Sequence, residues 1–103
     1  MARRQELQGY VVDQACLRKY PQDELLSRAR VHTRECALMG HCVESGYGLV
    51  SDDGRPLLLE SQGTPRIVAA IQDSARAEGI RLIATGEMEE GEMHTVSVKE
   101  GCD

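Results

Sequence analysis

The chain has 103 residues, a formal net charge of −5 and 41% hydrophobic residues, with three Tyr and no Trp or Phe. That length holds one domain and leaves no room for two ordinary ones. The acidic balance argues against nucleic acid or an anionic membrane as a partner.

Residues 1–7 are polar and charged and read as a flexible N-terminus, residues 8–100 as a single domain and residues 101–103 as a tail. Residues 8–16 predict a first strand around Tyr10-Val11-Val12. Pro21 breaks the chain, and Pro21-Gln22-Asp23-Glu24 suits a helix entry, with acidic residues where they complement the dipole. From Glu24 to Met39 the spacing predicts one helix whose face carries Leu25, Leu26, Ala29, His32, Cys36 and Met39, with Gly40 as its stop. Gly46–Val50 and Pro56–Glu60 read as strands joined by an Asp52-Asp53-Gly54 turn. Thr64-Pro65 predicts a helix start, with Thr64 as the cap, and Gly79 its close. Residues 80–88 and 93–99 form a final hairpin in which His94, Val96 and Val98 share one face and Met93, Thr95 and Ser97 the other.

This order predicts a mainly β domain with some helix (β+α). It is a five-stranded OB-like barrel with a helical Cys/His insertion, about residues 21–42, after strand 1 and a helix between strands 3 and 4. An open α+β sheet with two helices has the same element string.

The chemistry concentrates between Cys16 and Cys42. On one predicted helix, His32 and Cys36 are four residues apart and share a face, a spacing that lets two side chains reach one metal. Cys42 follows the Gly40 turn, and Cys16 ends the first strand. The expectation is a metal site of three cysteines and one histidine: Cys16, His32, Cys36 and Cys42. Zinc suits it best, copper or iron being further possibilities, copper through the soft thioether of Met39. Met39 and His41 are reserve ligands, Asp13 a partner that orients His32, and Tyr47 a cover for the site. The same residues also suit a disulfide from Cys16 to Cys36 or Cys42, inert thiols in the core, or a thiol-redox pair.

Other features are plainer. Ser45-Gly46-Tyr47-Gly48 leads into a strand and lacks a lysine, so it is no phosphate loop. His94 alternates with two valines and reads as inward-facing. Glu35 and Glu44 read as solvated carboxylates, Met88 and Met93 as gap fillers, and Cys102 as a free thiol in the tail. No nucleophile elbow, Walker motif or His-Glu-x-x-His occurs, so the chain reads as a binding protein rather than an enzyme. No apolar run approaches a membrane span, and none follows the basic start Met1-Ala2-Arg3-Arg4. The chain as written reads as cytoplasmic; an exported chain stripped of its signal would read the same.

His32-Thr33-Arg34-Glu35-Cys36-Ala37-Leu38-Met39, then Cys42, then Ser45-Gly46-Tyr47-Gly48-Leu49, resembles small bacterial domains of unknown function. In these a strand carrying Asp and Cys, here Asp13 and Cys16, precedes the motif. A hairpin, a helix and a closing hairpin follow it. The resemblance implies an OB-like fold and no particular activity.

Overall fold

A computed structural model describes residues 4–101 of the chain. The strands are β1 (Arg4–Asp13), β2 (Tyr47–Val50), β3 (Pro56–Leu59), β4 (Arg81–Glu89) and β5 (Glu92–Glu100). The helices are α1 (Gln14–Lys19), α2 (Leu25–Arg30), α3 (Arg34–Ala37), α4 (Gly40–Ser45) and α5 (Thr64–Asp73), with short 3-10 turns at Gln22–Glu24 and Ser61–Gly63. The five strands close in a ring in the order β1-β2-β3-β5-β4, β4 returning to β1. Only the β3–β5 contact is parallel. Helix and strand have equal shares, so the domain is mixed α/β rather than mainly β.

The interior of the ring is aliphatic. Val11, Leu49, Leu59, Leu82, Ala84 and Met93 from the strands meet Ile67 and Ile71 of α5 in one buried cluster. Burying each large aliphatic side chain contributes about 1.5–3 kcal/mol. α5 is amphipathic, with Ile67 and Ile71 one turn apart on the buried face. A smaller cluster joins Val12 and Val50 to Leu25 and Ala29 of α2, with Leu17 and Tyr20 packed beside it. β1 is thus covered on both faces at its end, which is where the insertion departs.

Three elements differ from the sequence pattern. β1 begins at Arg4, because Arg4–Tyr10 pair with β4 while Tyr10–Asp13 pair with β2. It ends at Asp13, whose side chain caps α1 by accepting from the Cys16 amide at 2.9 Å. α5 begins at Thr64, but Thr64 is its first helical residue after the 3-10 turn and no side-chain cap is made.

The largest correction concerns the single helix expected over 24–39. It is divided into α2 and α3, and Gly40 opens the next helix, α4, instead of ending one. The break at residues 31–33 has a tertiary cause. The Arg34 amide donates to Ala77 O at 2.8 Å, the Gly79 amide to His32 O at 3.1 Å, and Thr33 bridges Glu78. Those partners take backbone groups that a continuous helix would have used itself. Gly79 stands at φ +62, and a Cβ there would meet Arg30 O at 2.5 Å, so the close approach requires glycine.

The last hairpin turns through Glu90 and Gly91, both at positive φ, as a two-residue loop of this kind needs. A bulge leaves Val96 without a partner: Gly86 pairs with Thr95, but Thr85 pairs with Ser97. The bulge exchanges the faces of β5. Met93 and Thr95 are buried, and Val98 packs on the core beyond it. His94 does not point inward; it is half-exposed, with Nδ1 3.3 Å from Glu60 Oε1.

Candidate metal centre

Asp13, Cys16, Cys36 and Cys42 each place one donor atom within 4.8 Å of the other three. Asp13 and Cys42 are buried and form the floor; Cys16 and Cys36 are half-buried and form the rim. The three thiols are free.

A common local device delivers the sulfurs. Cys16, Cys36 and Cys42 are each the third residue of a short helix, and the residue three before each, Asp13, Thr33 or Met39, is that helix's extended N-cap. In α1 and α3 the cap is bonded: Asp13 Oδ2 accepts from the Cys16 amide, and Thr33 Oγ1 accepts from the Cys36 amide at 3.0 Å. The cap turns the chain and brings the Cys side chain back over it. α1 is tied to the ring by Gln14, whose amide donates to Gly46 O at 2.8 Å and whose side chain donates to Tyr47 O at 3.1 Å. The start of α4 is held by the Val43 amide, which donates to Met39 O at 2.9 Å.

His32 is not among the four. It lies in the break between α2 and α3, buried, with Nε2 2.9 Å from Asp13 Oδ1. The helix-face argument that paired it with Cys36 fails because no helix joins them. Burial alone would raise the Asp13 carboxyl. Hydrogen bonds from His32, the Cys16 amide and the Cys42 and Cys16 thiols outweigh burial and hold it at about 2. Asp13 is therefore a carboxylate that only accepts, so His32 Nε2 carries a proton. In neutral His32, Nδ1 then accepts from the Tyr20 hydroxyl at 3.3 Å. Tyr20, His32 and Asp13 form a hydrogen-bonded chain into the floor of the site. Sequence reasoning paired Asp13 with His32 but exchanged their places, and it missed Tyr20. The available signal was the cap-x-x-Cys pattern at Asp13–Cys16 and Thr33–Cys36.

The thiols respond to the same surroundings. Burial first, then the Asp13 charge, pushes Cys16 up to about 12 and Cys42 up to about 11. Without metal, both stay protonated beside the Asp13 carboxylate. That carboxylate accepts from His32 Nε2 and from the Cys16 amide.

The remaining candidates lie outside the four. Met39 is exposed as the α4 cap, and His41 is exposed as the second residue of α4. Tyr47 is fully buried and donates to Ala37 O at 2.5 Å, tying the end of α3 to β2. Burial, with the Asp13 and Cys42 charges adding, raises its hydroxyl to about 12. Cys102 lies outside the described residues. No described helix is long and apolar enough to cross a membrane. The chain matches no family model, no curated protein and no solved structure.

Proposed function

We propose that this protein is a small metal-binding domain that holds a divalent transition ion on Cys16, Cys36, Cys42 and Asp13. The observation that carries it is the approach of these four donors to within 4.8 Å of one another. His32 takes the supporting role, bonded to the Asp13 oxygen as partners of metal-ligating groups commonly are. The ion we assign is zinc, which accepts thiolate and carboxylate donors in a tetrahedral set. Copper(I) is favoured by all-soft sites, whereas here the fourth donor is a carboxylate oxygen and the Met39 thioether stays outside. Iron remains the second ion to test. Four protein donors complete a tetrahedron and leave no open position for substrate, which favours a structural or storage role over catalysis.

The chemistry is a proton–metal exchange. In the metal-free cluster Cys16 and Cys42 are protonated; Cys16, Cys36, Cys42 and Asp13 would hold the ion, and the thiols would give up their protons to do so. The free thiols suit a reducing compartment such as the cytoplasm. The strand order around the ring supports an OB-type barrel, and with it the resemblance to bacterial domains of that kind.

The test is elemental analysis of reduced protein prepared without a metal-affinity tag, followed by titration with cobalt as a spectroscopic probe. One ion per chain, with sulfur-to-cobalt charge-transfer bands that weaken in Cys36→Ser and Cys42→Ser, is expected. A chain that takes up neither zinc, iron nor cobalt overturns the reading and leaves a thiol or disulfide module in its place.

A further inference from the structure

We propose that the same cluster is an oxidant-responsive switch, in which hydrogen peroxide joins Cys36 to Cys42 as a disulfide and the metal is released. This rests on the metal reading and adds regulation to it.

Three free thiols stand within 4.8 Å of one another, and a disulfide needs its sulfurs at about 2.05 Å. Geometry selects the pair. Cys36 is half-buried and reachable, whereas Cys42 is 1% exposed and shielded from direct attack. Their sulfurs lie within 4.8 Å of each other, on residues six apart in the chain. They sit on α3 and α4, of four and six residues, joined by Leu38 and Met39. Helices this short have little stability of their own, so this link closes by local movement. Cys16 is held differently. Its α1 is bound to β1 through the Asp13 cap and to the α4–β2 junction through Gln14 and through the Ala15 amide on Ser45 Oγ. A disulfide from Cys16 would join α1 to a segment twenty or more residues away, whereas Cys36–Cys42 joins consecutive helices.

The chemistry balances in two steps. The Cys36 sulfur attacks one peroxide oxygen; an S–O bond forms, the O–O bond breaks, and the departing hydroxide takes up a proton as water. The Cys42 sulfur then attacks the Cys36 sulfenic sulfur; the S–S bond forms, the S–O bond breaks, and the oxygen leaves as a second water. Two sulfurs lose two electrons in total, and one peroxide becomes two waters. For the metal-bound thiolates, two protons are taken from solvent and the ion is freed. A disulfide sulfur is a poor ligand compared with thiolate, so Cys16 and Asp13 alone remain to hold it.

The experiment treats zinc-loaded full-length protein carrying Cys102→Ser with a small excess of peroxide. It follows released zinc with a chromophoric chelator and maps the products by mass spectrometry. Stoichiometric zinc release, a mass loss of about two daltons, a Cys36–Cys42 linkage and rebinding of zinc after dithiothreitol are expected. Cys16→Ser in the metal-free state should still form the linkage. Cys42→Ser should not, and should leave a Cys36 sulfenic acid that dimedone captures. Zinc retained under peroxide, or released with Cys16 in the main disulfide, overturns the switch while leaving the metal site standing. A protein that binds no zinc at the outset fails the metal reading and the release with it. The wild-type linkage map in the metal-free chain then decides separately whether Cys36 and Cys42 are a redox pair.

Discussion

Asp13 gathers the residue-scale chemistry of the site. It caps α1, accepts from His32 and stands within 4.8 Å of the three thiols. Removing one partner of a buried charged group leaves the other uncompensated. His32→Ala should therefore destabilise the metal-free protein by about 3 kcal/mol, read by urea denaturation under reducing conditions. His32→Gln, which keeps a donor, should recover part of that loss. The titrations add a pH signature. Cys16 and Cys42 lie at about 12 and 11 when folded, above their unfolded values. Their contribution is complete below about pH 8.5 and is lost as pH rises through the folded values. Asp13 acts oppositely: its contribution is present above about pH 4 and falls away as pH drops toward about 2. Metal-free, reduced protein should lose stability above pH 9 in a denaturant series. Zinc-loaded protein should lack that alkaline loss, because its thiols are already deprotonated.

At the scale of elements, the insertion is a set of helical turns too short to stand alone. α1, α3 and α4 each deliver one thiol from the third position after the cap, and the ring and the 77–79 segment hold the set in place. Thr33→Ala removes the α3 cap and should cost about 1 kcal/mol. Gly79→Ala should cost more than about 1 kcal/mol, because Gly79 has positive φ and its Cβ would strike Arg30 O. Both should speed amide exchange in residues 31–45 before the β1–β4 ladder is affected, a pattern hydrogen exchange would show. The helical period over 24–39 was legible in the sequence, and α2 obeys it through Leu25 and Ala29. Its interruption was not, because the groups that break it lie more than forty residues downstream.

For the whole molecule, an ion held as proposed would staple the insertion to the end of β1 and so couple metal binding to folding. A ligand about a thousandfold above its Kd stabilises by about 4 kcal/mol, on the order of 20 °C in Tm for a domain of this size. Stripping zinc with a strong chelator under reducing conditions should lower Tm by that order, with re-addition restoring it. The sequence by itself determined the order of the five strands, the Asp-Gly turn, the amphipathic face of α5, and Cys16, Cys36 and Cys42 as one group. These follow from local periodicity, turn preference and residue type, which need no distant partner. Tertiary structure alone decided that the five strands close into a ring, that the bulge at Val96 turns His94 outward, and that Asp13 rather than His32 stands with the three thiols. Each depends on contacts between segments far apart in the chain: β4 returning to β1, the β4–β5 register, and the 77–79 segment opening the helix where His32 stands. Spacing along one helix cannot report which side chain faces the cluster when packing against a remote strand has ended that helix.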